Sequence, residues 1–313
     1  MIVDLPDTTA SKVSKALVRI REEGGAVALG RVLTLVISTA TGHEEEAIEA
    51  ANDASREHPM RVIVFSKSSR NPGQPVRLDA QIRVGGDAGA SEVVVLRVTG
   101  EARVEDEGLL MALLLPDAPV VAWWPTATPE RVATSALGKI AQSRITDAAA
   151  QADPTAFLQQ LSRTYAPGDT DFAWTRLTLW RTQLAAVLDQ PPYEPITAVE
   201  VQGSADSPST LLLAAWLRLQ LRVPVHYTLT DGSGGHSGIH HVVLERGSGK
   251  ISLERNRHGM ATLTQPGQPR HDISVPRRTL RDCLAEELRR LDPDVLYGDV
   301  ITGGLTALLN DKE

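Results

Sequence analysis

With 313 residues, 42% of them hydrophobic, the chain is long enough for two ordinary domains and apolar enough to pack them, which excludes wholesale disorder. Its net charge of −7, with no acidic or basic tail, excludes the broad electrostatic footprint of a nucleic-acid binder. The single cysteine, Cys283, excludes an intrachain disulfide and a thiolate-built zinc site. A thiol-poor chain with no basic-then-apolar leader and no clean spanning run points to a soluble cytoplasmic protein without a membrane partner.

Residues 8–22 open on the cap formers Thr8, Thr9 and Ser11, and continue as a helix stopped by Gly24 and Gly25. "VALGRVLTLVIST" reads as a buried strand, 43–58 as a helix with an acidic first turn, and "MRVIVFS" as a strand: a β-α-β unit. A hairpin between 76–86 and 91–99, a helix over 105–117 and the strand "APVVAWWP" extend the pattern. Residues 126–172 form the loosest stretch, with a short helix near 154–165 and a domain boundary near 150. A helix over 174–189, the strand 196–203, a Ser-capped helix over 207–221 and the strand 223–229 give a further β-α-β unit. From 225 onward strand and turn alternate as an antiparallel meander, before a final helix over 278–291. The expectation is an α/β protein of two domains, 1–150 and 151–313. Its sheets are mixed and largely parallel, flanked by helices, with the meander in the second domain.

The stretch "DGSGGHSGIHH" (231–241) has the composition of a reactive site, but its spacing supports none. A third glycine for a dinucleotide fingerprint would fall at Ser237, and a strand follows instead of a helix. "SGKIS" places Ile251 where a P-loop needs Ser or Thr. His240 and His241 are adjacent on a strand, so they point to opposite faces and cannot easily share an ion. No G-x-S-x-G elbow occurs, and Cys283 lies inside an amphipathic helix. No catalytic residue, metal site or cofactor is therefore expected.

Two features suit binding instead. Between Glu245 and Arg281 eight basic residues face three acids, and Arg246, Lys250, Arg255, Arg257, Arg277 and Arg278 form a candidate patch for a phosphate or an acidic partner. All five tryptophans fall in three clusters. In "VVAWWP" the adjacent Trp123 and Trp124 face opposite ways, so one can enter the core while the other meets another layer, solvent or a partner. On the helix 174–189, Arg176 and Trp180 share one face, while Trp174, Thr178 and Arg181 share the next. Trp and Arg are common interface anchors, and equally common packing between domains.

The segments "LPDTT" (5–9), "GGAVALGRVLTLVI" (24–37), "LLLPDAPVVAWWP" (113–125), "RITDAA" (144–149) and "WTRLTLWR" (174–181), in that order, resemble the OpcA family of glucose-6-phosphate dehydrogenase assembly proteins. The resemblance implies a non-catalytic assembly factor and allosteric activator. It would bind glucose-6-phosphate dehydrogenase, which oxidises glucose 6-phosphate with NADP in the oxidative pentose phosphate pathway, and favour its active oligomer. The thioredoxin-linked control of cyanobacterial members does not carry over, because Cys283 has no partner for an intrachain disulfide. The family-like motifs place the partner contact near Trp123, Trp124, Arg144, Asp147, Trp174, Arg176, Trp180 and Arg181. The alternative is an enzyme or sensor that binds a sugar phosphate or nucleotide through the basic stretch 246–281, with a phosphorylated metabolite as its ligand.

Overall fold

The computed structural model describes residues 1–23, 30–67, 77–85, 92–100, 107–231, 238–257 and 259–310. The chain divides into two compact units: Met1–Asp147 with Gly168–Thr170 and Leu280–Pro293, and Ala148–Pro167 with Asp171–Thr279 and Asp294–Glu313. No helix among the described residues is long and apolar enough to cross a membrane.

The first unit runs β1 (Ile2–Leu5), α1 (Ala10–Glu23), β2 (Leu33–Ala40), α2 (Glu44–Ala54), β3 (Met60–Lys67), β4 (Arg77–Val84) and β5 (Glu92–Thr99). It continues through α3 (Glu107–Met111), β6 (Val120–Trp124), α4 (Ala136–Ile140), β7 (Ser143–Thr146) and β8 (Asp169–Asp171). One eight-stranded sheet results, ordered β1-β4-β5-β3-β2-β6-β7-β8. Its centre, β5-β3-β2-β6-β7, is parallel, while β4 and β1 add antiparallel strands at one side. β2 and β5 are buried along almost their whole length, which is why their sequences are continuous apolar runs without alternation. α2, whose buried residues include Ala47, Ala50, Ala51 and Ala54, packs on the returning helix Leu280–Arg289.

The β-α-β unit over β2, α2 and β3 and the β4–β5 hairpin form as expected. The helix expected over 105–117 is short. After Met111 the amides of Leu113 and Leu114 both bond to the Leu110 carbonyl, and Asp117 takes a left-handed φ of +55°. Pro116 disfavours helical backbone at Leu115 and helps stop it.

The second unit contains α5 (Pro154–Thr164), α6 (Phe172–Thr175), α7 (Thr178–Leu188), β9 (Ile196–Ser204), α8 (Pro208–Leu221), β10 (Val225–Thr230), β11 (Ile239–Arg246), β12 (Gly249–Arg257), β13 (Met260–Thr264) and β14 (His271–Ser274). After α9 (Leu280–Arg289), the returning helix of the first unit, come α10 (Val295–Asp299) and α11 (Leu305–Asn310). The six-stranded sheet is ordered β10-β9-β11-β12-β13-β14. β9 and β10 are parallel, joined by α8, and every other neighbouring pair is antiparallel. The meander therefore begins one strand later than expected. β9 lies between β10 and β11, so those two strands are not paired neighbours.

The helix expected over 174–189 is two helices. Thr178 Oγ1 donates to the Thr175 carbonyl at 2.9 Å and Leu177 N closes on the Trp174 carbonyl, so side-chain and three-residue bonds replace the regular ladder at the junction. α10 and α11 were not legible as helices. Gly298, Gly303 and Gly304 lower helix propensity there, but a Cβ at Gly304 would stand 2.8 Å from the Ala215 carbonyl oxygen, so the glycine permits close packing on α8.

Candidate functional site

The proposed contact residues fall on both units. In the first, both Trp123 and Trp124 are buried, at 0% and 1% exposure. Of the alternatives open to the second tryptophan, another layer is the one observed, because both faces of this parallel strand are covered. Arg144 and Asp147 are also buried, and Arg144 pairs with Asp169 and donates to the Ala141 carbonyl at 3.0 Å. In the second unit, Trp174 and Trp180 are buried, while Arg176 and Arg181 are half-buried. The sequence sets Arg176 and Trp180 on one face of a single helix, but the helix is broken between them. The break between α6 and α7 shifts the register, so Arg176 lies 5.9 Å from the Phe172 ring and Arg255 lies 5.5 Å from Trp180. Arg181 covers Trp174 at 3.7 Å, and the Trp174 indole N–H donates to Asp294 at 2.8 Å.

In "DGSGGHSGIHH", residues 232–237, including Ser233, His236 and Ser237, lie outside the described residues. His240 and His241 are half-buried on β11, and among the described residues no group of three His, Cys, Asp or Glu could hold a metal ion. Cys283 is buried in α9.

The basic stretch separates. Arg246 is buried and donates to the Pro192 carbonyl at 3.1 Å, and Lys250 pairs with its cross-strand neighbour Glu245. The Arg257 side chain lies outside the described ones. Arg255, Arg277 and Arg278 come together, however, and Arg176 and Trp180 join them around one cleft of about 340 Å3.

This cleft lies at the C-terminal end of β9, where the chain turns into α8, the position at which parallel α/β units usually hold ligands. Asp206, Ser207, Pro208 and Ser209 line it from that turn, and Gly238 and Ile239 from the start of β11. The turn is fixed by Ser204. Its N–H donates to the Gly238 carbonyl, its hydroxyl accepts from Gly238 N at 2.7 Å, and the same hydroxyl donates to Asp206. Ser209 Oγ donates to the Ala173 carbonyl, and Arg278 donates to the Thr175 carbonyl at 3.2 Å. Asp206, Ser207 and Ser209 were missed as site residues. The signal was present in "SADSP" (204–208), a strand-to-helix turn with Pro at the first helical position.

The first unit has a comparable strand-to-helix turn between β2 and α2, but a carboxylate fills it. Glu44 accepts from the Gly42 amide at 2.7 Å and from Ser66 Oγ, with Arg97 3.7 Å away. A negative side chain at this helix start repels the phosphate that a dinucleotide would place there. Burial pushes the Glu44 carboxyl up, but the hydrogen bonds from Ser66, its own amide and Gly42, and the Arg97 charge, hold it below the ordinary value. Its stabilisation is therefore complete above the ordinary glutamate value and lost as pH falls through the lower folded value. Glu44→Gln is expected to melt earlier than the wild type at pH 7, with the gap closing as pH falls below 4.5 in thermal melts. A gap independent of pH would contradict this.

Two family models match successive parts of the chain. Residues 51–163 match the family model for the N-terminal domain of a glucose-6-phosphate dehydrogenase subunit, and residues 167–301 match the model for the C-terminal domain of the same kind of protein. Two such domains in this order define the class of glucose-6-phosphate dehydrogenase subunit proteins. The chain belongs to the OpcA family of glucose-6-phosphate dehydrogenase assembly proteins. No curated protein matches the sequence.

Solved structures show only a distant likeness. An oxidoreductase from Sinorhizobium meliloti has a TM-score of 0.47 at 9% identity, covering 90% of this chain and 96% of that one. UDP-N-acetylglucosamine 3-dehydrogenase GnnA from Acidithiobacillus ferrooxidans gives 0.44 at 9%, covering 88% and 97%. Glucose-6-phosphate 1-dehydrogenase from Mycobacterium avium gives 0.43 at 12%, covering 90% and 92%. At these scores the likenesses say nothing about activity.

Proposed function

We propose that this protein is a non-catalytic assembly factor and allosteric activator, which binds glucose-6-phosphate dehydrogenase and favours its active oligomer in the cytoplasmic oxidative pentose phosphate pathway. The observation that carries this reading is the pair of family-domain matches in order along most of the chain. The carboxylate in the β2–α2 turn supports it, because it disfavours a dinucleotide at the fold's usual phosphate position.

The mechanism is linkage. A protein that binds one assembly state more tightly than another shifts the population by that difference, and about 1.4 kcal/mol changes the ratio tenfold. Arg181 is the proposed contact. It is half-buried, stands 3.7 Å over the Trp174 ring, and so presents a guanidinium already held in place. Trp174 and Trp180 act from beneath the surface of the unit that carries the contact, while Trp123, Trp124, Arg144 and Asp147 are buried in the first unit.

Co-purification with the dehydrogenase of the same organism, mass measurement of the complex and an activity titration test the reading. The expected result is a stable complex and a saturable rise in dehydrogenase activity, with Arg181→Ala weakening the apparent affinity about tenfold. A dehydrogenase whose kinetics and assembly ignore a saturating amount of this protein rules the reading out.

A further inference from the structure

We propose that the arginine cleft of the second unit binds a small phosphomonoester of hexose-phosphate size, its phosphate held by Arg176, Arg255, Arg277 and Arg278. This goes beyond the assembly role and does not depend on it.

The first argument is convergence. The four guanidinium groups come from three separate parts of the chain: the α6–α7 junction, β12, and the segment after β14. Among the described lining residues they face one carboxylate, Asp206, which already accepts from Ser204. Like charges gathered in a concave, partly dehydrated place repel one another, and a doubly charged anion relieves that repulsion.

Arg255 is the second argument. Its Nε donates to the Ile239 carbonyl at 3.3 Å and its guanidinium stands over Trp180, so the side chain is positioned rather than trailing in solvent. Its Nη1 is buried with no hydrogen-bond partner among the described residues. A buried guanidinium N–H without an acceptor is costly, and a phosphate oxygen supplies one. Burial, and then the neighbouring Arg277 charge, pull the Arg255 pKa down, as expected for a buried cation beside a second one.

The start of α8 adds to both. This 14-residue helix opens on Ser207, whose side chain makes no capping bond, followed by Pro208. Its positive end contributes to the same concavity. The volume then sets the ligand. About 340 Å3 lies within the range of small-molecule pockets, about 300–1,000 Å3, and exceeds what a bare phosphate needs. Trp180, Pro208, Ile239 and Pro276 offer an apolar floor beside the Ser207 hydroxyl, which suits a small hydroxylated body.

Calorimetry on the full chain, with glucose 6-phosphate as the probe and glucose and inorganic phosphate as controls, tests this. Glucose 6-phosphate is expected to bind in the sub-millimolar range, inorganic phosphate about tenfold more weakly, and glucose not at all. Arg255→Gln is expected to weaken binding about tenfold or more. Arg277→Gln, at an exposed position that the fold tolerates, is expected to weaken it in the same direction. Absence of heat and of thermal shift with both phosphates at millimolar concentration overturns the proposal. So does unchanged affinity in the two folded variants. Inorganic phosphate binding as tightly as the hexose phosphate overturns the assignment of ligand size. The dehydrogenase is absent from the calorimeter, so a negative result leaves the assembly role standing, and the reverse holds.

Discussion

Glu92→Ala is expected to destabilise the first unit by about 3–5 kcal/mol, the loss typical of breaking a buried ion pair on one side. Glu92 begins β5 and is 0% exposed. The parallel register sets it opposite Arg61 on β3, whose Nε reaches Glu92 Oε1 at 2.6 Å, while Arg31 and Arg21 approach Oε2 at 3.2 and 3.3 Å. Arg61 is only 4% exposed, and its Nη1 donates to the Leu113 carbonyl at 2.6 Å. Without the carboxylate this guanidinium stays buried with no counter-charge, whereas Arg21, more than a third exposed, can return to water. The double replacement Arg61→Met with Glu92→Leu is expected to recover most of the loss, because an apolar pair removes both desolvated charges. Urea unfolding followed by tryptophan fluorescence measures all three chains. A single Glu92→Ala variant within about 1 kcal/mol of the wild type would mean that the carboxylate does not hold Arg61.

The same cluster shows what the sequence could and could not convey. The apolar runs of β2, β3 and β5 announced a parallel sheet because strands covered on both faces lose alternation. The partner of Glu92 was invisible, since it depends on which strands become neighbours. Register also explains the basic stretch. Lys250 and Arg255 differ by an odd number of positions on β12, so they face opposite ways, one toward Glu245 and one into the cleft. Arg176, remote in sequence, joins the cleft because Thr175 and Thr178 break the helix beside it. The adjacent tryptophans had to face opposite ways, but whether the second met another layer, solvent or a partner depended on what covers the sheet, and both are buried. The family resemblance did not depend on register, because motifs such as 113–125, 144–149 and 174–181, which fall within the matched residues, record a linear order.

Asp171→Ala is expected to cost the second unit about 3 kcal/mol, from two backbone donors left without an acceptor and a lost helix cap. Asp171 is 0% exposed and precedes α6. Its carboxylate accepts from the Ala173 amide at 2.8 Å, capping the helix, and from the Ala148 amide at 3.0 Å. Water cannot readily replace it there. Asp171→Asn keeps the shape and one oxygen, so it is expected to lose roughly half as much. The consequence reaches the proposed ligand site, because α6 leads directly into Arg176 and its Thr175 carbonyl accepts from Arg278. A loosened α6 leaves two of the four cleft arginines less well placed. Hexose-phosphate affinity is therefore expected to fall in Asp171→Ala and to be largely kept in Asp171→Asn, measured by calorimetry below each variant's melting temperature. If Asp171→Ala melts with the wild type, the carboxylate does not organise α6. If it melts early yet binds the sugar phosphate with full affinity, the cleft does not depend on that helix, and Arg255 and Arg277 must hold the phosphate without it.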